Sequence, residues 1–100
     1  MKVLQQEFYE KLKQITKLSA QVNDNDGEKL LSMINDHAVE ITDLYHKQDD
    51  HYRVETADLI VLCFELLILD GKNIDDVFAR CLPRFYKKLH LLLKEKQGTE

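Results

Sequence analysis

Apolar residues recur every three or four positions through most of this 100-residue chain, which is the spacing of amphipathic α-helices. The first such stripe runs through residues 2–21, and it includes Val3, Leu4, Phe8 and Leu12. No segment alternates apolar and polar residues for long enough to indicate a β-sheet. The pattern therefore predicts an all-α fold of four helices, in a single domain spanning residues 1–100.

Turn-forming residues separate the first three helices. The run Asn-Asp-Asn-Asp-Gly at residues 23–27 ends the first helix, and Asp26 is expected to cap a second helix that continues to about His46. Residues 47–50 form a short polar link to the third helix. Because so short a link cannot cross the length of a helix, it predicts antiparallel packing of the second and third helices.

The third helix is predicted at residues 51–70, followed by Gly71 as a glycine of left-handed conformation. Asn73 is a suitable N-cap for the fourth helix. Pro83 lies inside the apolar pattern of that helix and predicts a kink or a break into two helices. The last four residues, 97–100, are expected to form a frayed tail.

The third helix is the most apolar part of the chain, since Glu65 is the single charged residue between positions 59 and 69. A helix that is apolar on nearly all sides must be buried in a core or at a subunit interface. We expect Glu65 to bond a tyrosine hydroxyl or a lysine across an interface, or else to contact a substrate. The segment is too short to cross a bilayer, which takes roughly 20 apolar residues, so no membrane association is expected.

The composition of the chain indicates which partners and which cellular location are expected. The net charge of -4 and the pI near 5.5 argue against nucleic acid as a main partner. Residues 1–13 lack the long apolar run of a signal peptide. Cys63 and Cys81 lie in apolar helical contexts without a C-x-x-C spacing, so they are interpreted as reduced core thiols, which favours a cytoplasmic location.

Acidic residues gather on the second and third helices. Glu55 and Asp58 are three residues apart, which places both carboxylates on one helix face. His37, Glu40 and Asp43 recur at the same spacing on the second helix. Antiparallel packing can bring the two sets together. Clustered carboxylates repel unless a divalent cation or a basic partner compensates them.

A purely structural interpretation of these acids also exists. Glu55 and Asp58 lie at the start of a helix, where acids favour the helix dipole. They can also pair with Arg53 or Arg84. The acids and the histidine of the second helix can form a solvated helix face.

The acid spacing resembles that of a known family. The string Asp36-His37-Ala38-Val39-Glu40, followed after fourteen residues by Glu55-Thr56-Ala57-Asp58-Leu59, is similar to the E-E-x-x-E…E-x-x-D signature of the all-α nucleoside triphosphate pyrophosphohydrolases. This superfamily includes MazG-like proteins, dimeric dUTPases and phosphoribosyl-ATP pyrophosphatase. The resemblance covers residues 30–88, and its second half is the more specific. It implies a four-helix MazG-like bundle completed by oligomerisation into a homodimer or homotetramer.

The same resemblance implies an activity. The reaction would be Mg²⁺-dependent hydrolysis of a nucleoside triphosphate between its α- and β-phosphates, giving the monophosphate and pyrophosphate. The implied catalytic residues, which would also bind the metal, are Glu40, Glu55 and Asp58. The implied phosphate-binding residues on the last helix are Arg84, Lys87 and Lys88.

The chain departs from the signature at Asp36 and His37, where the family has glutamates. The second of these glutamates is a metal ligand in the family, so the fourth ligand here is open between Asp43 and His37. Histidine is a poorer Mg²⁺ ligand than a carboxylate. Either Asp43 substitutes, or Mn²⁺ is tolerated, or activity is lost. In the last case the protein would be an inactive homologue that serves as a helical oligomerisation or interaction module, and a helical bundle with no ligand is the third alternative.

Overall fold

A computed structural model describes Lys2 and residues 4–98, and these residues form four α-helices and no strand. The helices are α1 (Gln6–Val22), α2 (Gly27–His46), α3 (Tyr52–Leu69) and α4 (Ile74–Gly98). The prediction of an all-α, four-helix chain is therefore confirmed. None of the helices in the described part of the chain has the length and apolarity needed to cross a membrane.

The residues that delimit the helices act as predicted. The Asp26 carboxylate accepts a hydrogen bond from the Glu28 amide at 3.0 Å, and the Asn73 side-chain oxygen accepts one from the Asp76 amide at 3.2 Å. Each bond satisfies an amide of a first helical turn that has no partner within its own helix. Gly71 has a φ of 73°, a left-handed conformation that residues with a Cβ rarely adopt.

Two helix ends differ from the prediction. The first helix begins at Gln6 rather than at residue 2, because Gln5 is in an extended conformation; Val3 lies outside the described residues. The fourth helix includes Gln97 and Gly98, so the predicted frayed tail is wrong for these two residues. The remaining two residues of that tail, 99 and 100, lie outside the described residues.

Pro83 lies within one continuous helix, so of the two predicted outcomes, a kink or a break into two helices, the break does not occur. A proline cannot donate to the carbonyl four residues before it, which here belongs to Ala79. Ala79 is exposed, and water can therefore satisfy its carbonyl group. Proline in this position interrupts the hydrogen-bond ladder without leaving a buried polar group unpaired.

The third helix is the centre of the fold. Within the described residues its backbone packs closely against those of α1, α2 and α4, whereas no two of those three helices approach each other as closely. The buried apolar side chains are Leu12, Leu30, Leu62 and Ile74. Each helix thus contributes one of them, and the packing of α3 against α2 is the most extensive.

The fourth helix is attached to α3 only at its beginning. Ile74 is fully buried, and the Phe78 ring lies 6.1 Å from the Phe64 ring of α3. All described residues from 82 onward are exposed. The radius of gyration is 16.8 Å, compared with about 13 Å for a compact domain of this length. The helix therefore projects from the other three.

The two cysteines are free, as predicted, but Cys63 is exposed and Cys81 is half-buried. The prediction of two core thiols is therefore wrong. The reason is that α3 is apolar on more faces than the three other helices cover. Cys63 lies on a face that the chain leaves open.

Candidate metal centre

The hairpin of α2 and α3 brings together three of the five predicted metal ligands. One ligand atom from each of His37, Glu55 and Asp58 lies within 4.8 Å of the other two. His37 comes from the middle of α2, whereas the two acids come from the first two turns of α3. The predicted antiparallel packing of these helices is what places residues so distant in sequence side by side.

Glu55 is the innermost member of this cluster, with 14% of its side chain exposed. Its carboxylate lies between two imidazoles. The Nε2 atom of His37 is 3.4 Å from one carboxylate oxygen, and the Nε2 atom of His51 is 3.4 Å from the other. Each histidine compensates the charge of the carboxylate only when its ring is protonated.

Neither acid of the cluster has a lysine or arginine partner among the described residues. Arg53, one of the partners that the sequence offered, pairs with Asp50 at 3.7 Å instead. Arg84, the other, lies on α4, and α4 meets α3 beyond the cluster. The structural interpretation through arginine salt bridges is therefore not supported: Glu55 contacts two imidazoles, and Asp58 is exposed to solvent.

A backbone hydrogen bond fixes the orientation of His37. Its Nδ1 atom lies 2.8 Å from the carbonyl oxygen of Met33, one turn earlier on α2. Because a carbonyl can only accept, Nδ1 must carry the proton of this bond. In the neutral ring the lone pair is then on Nε2, the atom that faces Glu55. Metal-binding histidines are usually oriented by such a bond from the other ring nitrogen.

The two remaining candidate ligands of α2 lie outside the cluster. The Asp43 carboxylate is 2.9 Å from Nζ of Lys47, and this hydrogen bond raises the pKa of the lysine. Glu40 is exposed, as Asp58 of the cluster also is, but its carboxylate does not lie with the three ligand atoms. The exposure of both residues agrees with the solvated helix face that the sequence offered as their alternative. Of the two competitors for the fourth ligand, the structure brings His37 and not Asp43 to the acids of α3.

Sequence reasoning missed His51. It lies just before α3 and contacts Glu55, four residues later. Residues separated by four positions face the same side of a helix, so the spacing could have identified it. With 55% of its side chain exposed, His51 lies at the solvent side of the cluster.

The predicted phosphate-binding residues are not part of this cluster. Arg84, Lys87 and Lys88 lie on the projecting part of α4, where they line a shallow groove together with Cys81, Phe85 and Leu91. None of the three basic side chains forms an ion pair with the cluster within the described chain. The acids and the cations of the predicted site are therefore separated in the single chain.

The donor set fits a divalent cation. Two carboxylates would balance its charge and the imidazole would add a third donor, and one ligand atom of each residue lies within 4.8 Å of the other two. The set fits Mg²⁺ less well, because Mg²⁺ prefers oxygen and one of the three donors is nitrogen.

Glu65 belongs to a different site. It is buried between α3 and α1, where its carboxylate accepts a hydrogen bond from the Ser19 hydroxyl at 3.4 Å. The Ser19 oxygen in turn accepts a bond from the Asn23 amide group at 3.3 Å. Burial raises the pKa of Glu65. Its partner is thus a serine of its own chain, rather than the tyrosine, lysine or substrate expected from the sequence.

Comparison of the chain with protein-family models, with curated proteins and with solved structures gives no match. The features that bear on function are therefore the acid spacing in the sequence and the geometry of the α2–α3 hairpin.

Proposed function

We propose that this protein is a divalent-cation-dependent nucleoside triphosphate pyrophosphohydrolase, which releases a nucleoside monophosphate and pyrophosphate. The observation that carries this proposal is the cluster of His37, Glu55 and Asp58. Its acids are the E-x-x-D pair of the signature that the sequence resembles, and its histidine stands where the signature has a metal-binding glutamate. A resemblance in sequence spacing thus coincides with a convergence of ligand atoms in space.

The cation would neutralise the negative charge that phosphates carry into the transition state. Mg²⁺ is the ion that the resemblance implies, and Mn²⁺ is the alternative because it accepts a histidine ligand. The protein's own groups have separate tasks. Glu55 and Asp58, one turn apart on a rigid helix, hold the cation. His51 is solvent-accessible beside Glu55, so its ring can exchange a proton or donate a hydrogen bond at the mouth of the site.

The proposed enzyme is a homo-oligomer, and its second copy supplies the basic residues. Two observations support this arrangement. The apolar stripe of α4, formed by Leu82, Phe85, Leu89 and Leu92, is exposed along its length, and so large an apolar surface usually marks an interface. Arg84, Lys87 and Lys88 lie on the same projecting helix, away from the acids of their own chain. A dimer or tetramer that covers the stripe can bring them to a neighbouring cluster.

The exposed stripe also favours a second function. A homologue that has lost activity with the glutamate at position 37 would retain α4 as an interaction surface. Such a module needs the apolar residues of α4 and does not need Glu55 or Asp58. The two functions therefore differ in which region of the chain is required.

The proposal is tested by measuring pyrophosphate release from a panel of nucleoside triphosphates with Mg²⁺ or Mn²⁺. We expect turnover by the wild type, and a loss of at least ~100-fold in kcat/KM for Glu55→Gln and Asp58→Asn, because each change removes a ligand charge while preserving the shape of the side chain. Glu7→Gln makes the same chemical change on an exposed position of α1 and serves as the matched control.

Absence of turnover with every nucleotide and both ions would refute the enzymatic proposal and leave the interaction module. Unchanged turnover in the Glu55 and Asp58 variants would refute the assignment of the reaction to this cluster. Glu40→Gln distinguishes the signature from the three-residue cluster. A loss similar to that of Glu55→Gln would show that Glu40 joins the working site, whereas full activity would confine the ligands to the observed cluster.

A further inference from the structure

We propose that His37 makes this centre selective for a first-row transition-metal ion, with Mn²⁺ and Zn²⁺ as the representative ions, over Mg²⁺. The inference rests on the proposed function for the purpose of the site and adds the identity of its ion. It differs from the all-oxygen Mg²⁺ site that the family signature implies. Three features of the hairpin support it.

The first feature is the chemistry of the donors. An imidazole nitrogen binds ions of the transition series well, whereas Mg²⁺ prefers carboxylate, carbonyl and water oxygens. In the cluster, one donor of three is the Nε2 atom of His37. Replacing a carboxylate by this donor therefore weakens the binding of Mg²⁺ more than the binding of Mn²⁺ or Zn²⁺.

The second feature is the preset orientation of the ring. The bond between Nδ1 of His37 and the Met33 carbonyl holds the proton on the nitrogen that faces away from the acids. The side chain is also largely enclosed, with 25% of it exposed. A ligand whose tautomer and rotamer are already fixed loses less entropy when it binds an ion.

The third feature is that no further carboxylate of α2 joins the cluster. Asp43, which could restore an all-oxygen set, pairs with Lys47 at 2.9 Å, and its carboxylate does not lie with the three ligand atoms. Glu40 is exposed on the same helix. Glu55 and Asp58 also lack a lysine or arginine partner in the described chain, so the cluster with neutral imidazoles carries the charge of two carboxylates. One divalent ion balances this charge.

The same contacts have a simpler explanation, which the test must separate. A protonated His37 could bridge the Met33 carbonyl and the Glu55 carboxylate as an imidazolium, with no ion involved. In that case the ring would be a structural cation, and added metal would not bind to its nitrogen.

The decisive measurement is metal binding to the full chain without nucleotide, by calorimetry with MnCl₂ and MgCl₂ and by the electron paramagnetic resonance of Mn²⁺. We expect the wild type to bind Mn²⁺ in preference to Mg²⁺, and His37→Glu to reduce the ratio of the two affinities by roughly tenfold, through tighter Mg²⁺ binding. His90→Gln is the matched control, because His90 lies on the projecting part of α4 and contacts Tyr86.

A second readout needs no variant, and so it holds even if His37→Glu folds poorly. In long-range ¹H–¹⁵N spectra of the histidine rings, ZnCl₂ should shift the Nε2 signal of His37 and leave His90 unchanged. Before zinc is added, the same spectrum should show a proton on Nδ1 and none on Nε2. An unshifted His37 signal, or an affinity ratio that His37→Glu leaves unchanged, would overturn the inference.

These outcomes are distinguishable from failure of the proposed function. Selective Mn²⁺ and Zn²⁺ binding without any nucleotide turnover would refute the pyrophosphohydrolase and leave the metal assignment standing. Turnover that is as fast with Mg²⁺ as with Mn²⁺, and unaffected by His37→Glu, would support the enzyme and overturn the metal assignment.

Discussion

The helix α2 of the hairpin and the helix α4 are both amphipathic in sequence, but their surroundings in the structure differ. In the hairpin, Leu30 and Leu62 are buried against neighbouring helices. In α4, every described residue from 82 onward is exposed, and this includes Phe85 and Leu89. Periodicity thus determines which face of a helix is apolar, whereas it does not determine whether that face is covered by the same chain.

The two regions also divide the proposed chemistry. The hairpin holds the acids and the histidine of the cluster, while α4 holds Arg84, Lys87 and Lys88 beside its apolar stripe. Opposite charges that should meet around a phosphate are therefore on separate parts of the chain. If a second copy covers α4, the same contact that buries the stripe can complete the site.

The largest effect is expected inside the hairpin. Leu30 is 2% exposed, and Leu30→Ala should lower the free energy of unfolding by about 3 kcal/mol, from lost burial and the cavity left behind. Leu89→Ala is the matched change on α4, where the side chain is 59% exposed. Urea unfolding at several protein concentrations measures both.

The Leu30 variant should be destabilised equally at every concentration. The Leu89 variant should be destabilised only where oligomers form, because only there is its side chain buried. Equal losses for the two variants in dilute monomer would contradict the contrast between a packed hairpin and an uncovered α4.

The next effect concerns assembly. Leu89→Asp should raise the dissociation constant of the oligomer by about 100-fold, roughly 2.7 kcal/mol, because it places an unpaired charge in the proposed interface. Sedimentation velocity over a dilution series measures the shift. Lys94→Asp adds the same side chain to an exposed position of α4 outside the stripe. A wild type that stays monomeric at high concentration would refute the oligomer.

Local features of the fold were predictable from the sequence, and distant pairings were less so. The caps at Asp26 and Asn73 and the left-handed Gly71 were correct because each depends on a few neighbouring residues. Part of the site was also predictable, because the short link between α2 and α3 forces these two helices to pack together. Which residue of α2 meets Glu55 depends on how the two helices are rotated and shifted against each other. The spacing of residues in the sequence determines neither the rotation nor the shift. The sequence therefore could not show which of His37, Glu40 and Asp43 meets Glu55.

A smaller effect is expected for the cations of α4. If Lys87 contacts a phosphate at a neighbouring cluster, Lys87→Gln should raise KM for the nucleotide by about tenfold, roughly 1.4 kcal/mol, with little change in kcat, because it contributes binding to ground and transition states alike. Steady-state kinetics measure both constants. Lys29→Gln, on an exposed lysine of α2 that pairs with Asp24, should leave both unchanged. An unaltered KM for Lys87→Gln would place the phosphate site elsewhere.

The smallest effect is expected at Glu65, which lies where α1 packs against α3. Burial raises the pKa of this carboxyl above its ordinary value of 4.5, so the folded protein holds the proton more tightly than the unfolded chain does. Its contribution to stability is therefore complete below pH 4.5 and is lost as the pH rises through the folded pKa. Glu65→Gln keeps an acceptor for the Ser19 hydroxyl and has no proton to lose.

The free energy of unfolding of the variant should therefore equal that of the wild type near pH 4 and exceed it by about 1 kcal/mol at pH 7. This difference is of the order of the cost of burying a poorly compensated polar group. Urea unfolding from pH 4 to pH 8 measures the difference, with Glu7→Gln as the exposed control. Parallel pH profiles for wild type and variant would mean that α1 opens enough to hydrate the carboxylate. Solvent would then reach the contact between α1 and α3, as it reaches α4. Only the α2–α3 pair would remain as the well-packed region.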